Sequence, residues 1–159
     1  MIVKIGVRTL TRDLVAYREI KPGENESEAF ARLNAEVHEK GATPKDPTMI
    51  VYYDSKDKEG CRKEAMVVVD RDVPGLKTKT LPMIRAGFVV YAGTSYPPEY
   101  YYEELKKHLR ERGLKPAAGP FCSLEAVYQP DNFNLSSGSF IDEDSQDTWT
   151  TEIILPVEG

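Results

Sequence analysis

Long apolar runs are missing from this chain. No apolar stretch exceeds a few residues, which excludes a membrane-spanning helix of about 20. The opening MIVKIGVRTLTRD is interrupted by Lys4 and Arg8 and has neither a signal-peptide core nor a cleavage site, so a cytoplasmic protein is expected. Cysteine and histidine are scarce. Cys61 and Cys122 lie far apart with no metal spacing, and the histidines are His38 and His108 alone. That pattern argues against a disulfide framework or zinc site and predicts buried or inert thiols, with no metal and no cofactor. Positive charge is short as well: 21 Lys and Arg against 26 Asp and Glu give a net charge of −5, with no basic block and no helix-turn-helix or zinc-finger pattern. Such a chain repels a phosphate backbone, so no direct nucleic-acid partner is expected. Cations and neutral apolar molecules suit it better.

What is present is ordinary soluble composition, 40% hydrophobic and 30% charged over 159 residues, enough for one domain or two small halves sharing a core. Residues 1–10 alternate as a half-buried strand, and LVAYREI (14–20) reads as another before Lys21-Pro22-Gly23. Phe30, Leu33, Asn34 and Val37 then recur at helical spacing, giving an amphipathic helix over about 26–40, begun near Ser27 and stopped by Gly41. MIVYYD (49–54) and EAMVVV (64–69) are the next strands, with the polar loop SKDKEG between them. LKTKTLPM (76–83) suggests an edge strand with Pro82 near its end, and AGFVVYAG (86–93) a further strand. Pro97-Pro98 opens a second helix with Tyr101, Tyr102, Leu105 and Leu109 as its stripe and Gly113 as its stop. FCSLEAVYQ (121–129), a polar insert at 131–147 and TWTTEIILPV (148–157) complete the chain. The insert lacks the glycine and ligand order of a calcium loop.

The helices correspond at one offset: Phe30 and Tyr102, Leu33 and Leu105, Val37 and Leu109, Gly41 and Gly113, Pro44 and Pro116 all differ by 72. The flanking strands match too, VAYREI with VVYAGT, MIVYYD with LEAVYQ and EAMVVV with TEIILPV. The chain therefore reads as one domain over 1–159 made of two halves, about 1–75 and 76–159. Each is a strand-helix-strand-strand unit preceded by an extra strand. One such unit covers only one face of its sheet and closes a core poorly alone. Two related by a pseudo-twofold axis predict an α+β fold with a mostly antiparallel sheet and a central groove, where binding sites commonly form.

Within FCSLEAVYQ, Glu125 interrupts an otherwise apolar strand. Alternation places Cys122, Leu124, Ala126 and Tyr128 on one face and Phe121, Ser123, Glu125 and Val127 on the other. That second face is either solvated or the wall of a pocket, and composition alone favours solvent. Nine tyrosines accompany it. Tyr101 and Tyr102 are expected in the core. Tyr52 and Tyr53 are adjacent on one strand, so only one can line a groove, while Tyr17 and Tyr91 hold equivalent positions in the two halves. Trp149 shares a face of the last strand with Thr151 and Ile153 and is the expected contact there. Glu64 and Glu152 also correspond, which a repeated structural role explains as well as a site does.

The strand-to-helix passage AGFVVYAGTSYPPEYYYEELKKHLRERGL, with GPFCSLEAVYQPD and the terminal TEIILPV, resembles the GyrI-like small-molecule-binding domain, the effector-binding half of certain multidrug-sensing transcription factors. The resemblance covers nearly the whole chain. It implies two repeats around an aromatic cavity, places Glu125 on the family's buried glutamate, which faces cationic ligands, and places Trp149 where an aromatic residue is frequent. Broad binding of lipophilic, often cationic molecules follows as the expected function, with Glu125, Trp149, Tyr91, Tyr17, Tyr53, Tyr52 and Phe121 as contacts. In such a cavity with no fixed Arg or Lys, the ligand's own charge would serve as the carboxylate's partner. Against the family pattern, no attached DNA-binding segment is expected, and the insert at 131–147 is longer. No Ser-His-Asp or Cys-His set is evident. The alternatives are a hydrolase of electrophilic toxins that uses Glu125 with a tyrosine, and a protein-binding module of the gyrase-inhibitor type.

Overall fold

Helical and two-residue periods separate into two helices and eight strands in the computed structural model, which describes residues 1–128 and 150–158. In chain order these are β1 (Ile2–Thr9), β2 (Leu14–Ile20), α1 (Glu26–Glu39), β3 (Pro44–Tyr52), β4 (Lys63–Val69), β5 (Thr78–Thr80), β6 (Arg85–Ala92), α2 (Pro98–Glu111), β7 (Ser123–Tyr128) and β8 (Thr150–Pro156). The first helix starts one residue before Ser27, at Glu26, and Asn25 is its N-cap, accepting a hydrogen bond from the Glu28 amide at 3.1 Å. A short oxygen-bearing side chain at that place satisfies an amide that has no partner within the helix. Gly41 and Gly113 follow the two helices with φ of +87° and +70°. This is the left-handed conformation that ends a helix and that glycine adopts without strain.

All eight strands pair antiparallel in one sheet, in the order β1-β6-β8-β7-β3-β4-β2-β5. Exchanging β1 to β4 for β5 to β8 reproduces this order read from its other end. The fold is therefore the expected α+β arrangement, with β3 and β7 side by side at the middle of the sheet and Ile50 opposite Glu125. Among the predicted strands, β7 begins at Ser123, two residues after Phe121, and two others change more. β3 begins at Pro44, five residues before Met49, through an irregularity in its pairing with β4 between Lys45 and Thr48. β5 retains only three residues.

Both helices lie against one face of the sheet. α1 packs Ala29, Leu33 and Val37 on Ala16, Ile20, Ala65 and Val67, and α2 packs Tyr101, Tyr102, Leu105 and Leu109 with Val89, Tyr91, Ile153 and Leu155. The opposite face carries a third cluster that includes Val15, Met49, Val51, Met66, Phe88, Leu124 and Ile154. Among the described residues no helix is long and apolar enough to cross a membrane.

α2 lies tightly over Gly87 on β6, where an added Cβ would stand 2.7 and 2.8 Å from the Leu109 methyl carbons. Leu109 is itself buried, so its methyls have little room to turn aside. Gly87→Ala is expected to cost about 1–3 kcal/mol by overpacking, read as a lower midpoint in urea denaturation. An unchanged midpoint would show that α2 yields at no cost.

Candidate functional site

The site is built where β3 and β7 meet between the two helices. On β7, Leu124 and Ala126 belong to the cluster on the far face. Glu125 therefore points to the helix face, level with Ile50 on β3 and Ile153 on β8. Ile50 packs with the α1 cluster and Ile153 with the α2 cluster, so the carboxylate emerges in the seam between them. Its side chain is 14% exposed.

Two groups hold the Glu125 Oε2 atom. The Tyr102 hydroxyl, from the first turn and a half of α2, donates to it at 2.7 Å and lies 3.2 Å from Ser123 Oγ. The Lys56 ammonium, from the segment between β3 and β4, donates at 2.7 Å. Lys56 Nζ also stands 5.4 Å from the Tyr52 ring centre and 5.2 Å from that of Tyr102. One positive charge is thus enclosed by a carboxylate and two aromatic rings. The electrostatics around Glu125 are visible in the phenols. Burial raises the Tyr52 and Tyr102 hydroxyls well above the usual phenol value, and the charge of Glu125 adds to it. Tyr91 is pushed up to about 12 by burial and then by Glu125.

Beside this pair a cleft of about 120 Å³ is lined by Ser55, Lys56 and Asp57 on one side, Glu99, Tyr102 and Glu103 on the other, and Ser123 at its floor. Among the described residues no three His, Cys, Asp or Glu side chains gather as a metal ion would need.

Several expected contacts lie elsewhere. Tyr17 and Tyr53 are on the opposite face of the sheet, packed against its cluster. There Lys79 stands 4.2 Å from the Tyr17 ring centre and pairs with Glu64 at 2.6 Å, while the Tyr53 hydroxyl donates to the same Glu64 oxygen at 2.6 Å. The corresponding carboxylate of the second half, Glu152, pairs with Arg8 at 2.6 Å and receives the Tyr128 hydroxyl at 3.4 Å. Each of these carboxylates, like Glu125, has a cation and a phenol; what Glu125 has besides is the cleft that opens beside its pair. Phe121 is buried in the same far-face cluster; it precedes β7, so the strand alternation that aligned it with Glu125 does not reach it. Tyr91 is on the helix face but stacks on Tyr101 at 3.6 Å, under the start of α2. Trp149 lies outside the described residues. Of the expected aromatic contacts among the described residues, Tyr52 is the one that faces the ammonium paired with Glu125. Of the thiols expected to be buried or inert, Cys122 is exposed and Cys61 partly so, which leaves the inert alternative.

Two members of the site were not anticipated. Tyr102 was assigned to the core by its place in the apolar stripe, and its ring is buried there; only its hydroxyl, which phenylalanine would lack, signals a polar neighbour. Lys56 sits in the polar SKDKEG loop with nothing in the sequence to separate it from Lys58.

No protein-family model matches the sequence, and comparison with curated proteins returns no match. Solved structures do share the fold. The C-terminal domain of EcmrR superposes with a TM-score of 0.67 at 19% identity, covering 98% of this chain and 97% of that one. In the EcmrR–DNA complex the TM-score is 0.69 at 18% identity, and the match spans only 57% of the EcmrR chain. A hydrolase from Listeria innocua matches at 0.63 and 11% identity over 98% of this chain and 92% of that one. SAV2435, solved bound to tetraphenylphosphonium, matches at 0.52 and 11% over 99% and 95%. At these identities the likeness is one of fold.

Proposed function

We propose that the chain is a GyrI-like binding domain for lipophilic, often cationic small molecules, received in the groove around Glu125. The observation that carries this reading is the enclosure of a positive charge by Glu125, Tyr52 and Tyr102 in the seam between α1 and α2. A carboxylate largely removed from water and faced by aromatic rings favours a flat or globular cation over an anion of the same shape. The rim adds to this preference, since Asp57, Glu99 and Glu103 outnumber Lys106 there. Stacking and Coulomb attraction impose little shape, which accords with broad specificity. The fold shared with tetraphenylphosphonium-bound SAV2435 supports the same reading.

A second reading, hydrolysis of electrophilic molecules, draws on the 2.7 Å contact between Glu125 and the Tyr102 phenol, and the fold likeness to the Listeria hydrolase is in keeping with it. Here, however, Oε2 of the would-be nucleophile or base accepts from both a lysine and a phenol, which lowers its reactivity. Calorimetric titration with tetraphenylphosphonium and incubation with epoxides and activated esters separate the two. Saturable binding of the cation with no turnover above background is expected. Saturable hydrolysis abolished by Glu125→Gln would replace the binding reading.

A further inference from the structure

We propose that Lys56 is the resident cation of the groove, holding the position that a cationic ligand's charge would take and leaving it when such a ligand binds. The inference rests on the binding reading above and extends it to the control of that site. The Lys56 ammonium makes the contacts that a bound lipophilic cation would make: 2.7 Å to Glu125 Oε2, and 5.4 and 5.2 Å to the Tyr52 and Tyr102 ring centres. A ligand cannot pair with the same carboxylate oxygen between the same rings while the lysine is there.

The chain around Lys56 is arranged so that it can withdraw. Ser55 and the residues from Asp57 to Gly60 are all exposed, and Lys56 alone in that stretch is half-buried. The base of the loop is closed independently, by the Tyr53 amide donating to the Arg62 carbonyl at 2.9 Å and by Arg62 with Asp54 at 3.2 Å. Swinging the tip outward breaks the contacts of Lys56 while the pairing of β3 with β4 is left intact. The long aliphatic stem then carries the ammonium to water.

Volume points the same way. The cleft beside Glu125 holds about 120 Å³ with Lys56 forming part of its wall, whereas pockets for drug-sized ligands hold roughly 300–1,000 Å³. Departure of the lysine both frees the carboxylate and enlarges the space in front of it.

Competition with a tethered cation sets the selectivity. Lys56 is present at the high effective concentration of an intramolecular group. A small ammonium ion gains no more at Glu125 than the lysine already has. A bulky aromatic cation adds stacking area that the lysine cannot supply, and so displaces it. Apparent affinity is lowered by the fraction of molecules in which Lys56 is withdrawn, and removing the competitor lifts that restraint.

The test is calorimetric titration of tetraphenylphosphonium against the wild type, Lys56→Met, Lys56→Arg, Lys58→Met and Lys56→Met/Glu125→Gln. Lys56→Met is expected to bind about tenfold more tightly than the wild type, the gain that follows if the withdrawn state is about a tenth of the population. Lys58→Met makes the same change of net charge at an exposed side chain of the same loop and should leave affinity unchanged. Lys56→Arg keeps a cation on the loop and should not show the gain, and the double variant should lose it. If Lys56→Met binds no more tightly than Lys58→Met while the wild type still binds in a Glu125-dependent way, Lys56 is a strut and the inference fails with the binding reading intact. If none of the proteins binds tetraphenylphosphonium, both fail together.

Discussion

Raising the pH from about 10 to about 12 is expected to unfold the protein, and its buried tyrosines should ionise in step with the loss of structure. Phenols ionise near pH 10 in an unfolded chain. In the folded protein burial pushes Tyr91 and Tyr128 up to about 12, helped by the charges of Glu125 and Glu152 respectively. Tyr52 and Tyr102 are raised further by burial and by Glu125. The folded value lies above the unfolded one in each case, so the contribution is fully present below pH 10. It is lost as pH rises through the folded value, because the unfolded state then binds fewer protons than the native state. For Tyr91, which is 6% exposed, a rise of this size corresponds to about 3 kcal/mol. Several such groups together are a substantial share of the stability of an ordinary domain, about 5–15 kcal/mol. Urea midpoints measured from about pH 9 to 11, with phenolate absorbance followed in parallel, check this. Ionisation of all nine tyrosines near pH 10 with the fold intact would mean that these rings are open to water.

The frame of the site was legible in the sequence because it depends on period. Leu33 and Val37 recur in Leu105 and Leu109, a pattern that predicted two helices on an antiparallel sheet with a central groove; that Glu125 faces a cavity was implied by the family resemblance, since composition alone favoured solvent. What alternation does not give is which face is which. Tyr52 and Tyr53 are necessarily on opposite faces, and only the packing of β3 decides that Tyr52 meets the groove while Tyr53 joins Glu64 and Lys79 behind it. Tyr17 follows Tyr53 for the same reason, as the neighbour of Ala16, which packs under α1. Lys56 was illegible because a loop has no period, and its partner is 69 residues away. Its presence corrects the expectation that Glu125 has no fixed cationic partner.

In the Lys56→Met background, Glu125→Gln is expected to weaken tetraphenylphosphonium by about 30-fold or more. Removing one partner of a largely desolvated charge pair costs about 2–5 kcal/mol, and glutamine keeps the shape while removing the charge. Stability should change little, within about 1 kcal/mol, since Lys56, already 29% exposed, turns out to water when its partner is lost. That release also weakens the competitor, so the full effect of the charge is seen in the Lys56→Met background. Triphenylphosphine oxide offers similar aromatic area without a net charge and separates charge from shape. The decisive measurement is therefore calorimetric titration of both compounds against Lys56→Met and Lys56→Met/Glu125→Gln. A large loss for the cation with little change for the neutral compound is the result the account predicts. Equal losses for both compounds, or none for either, would contradict it by showing that Glu125 supplies no charge to a ligand in the groove.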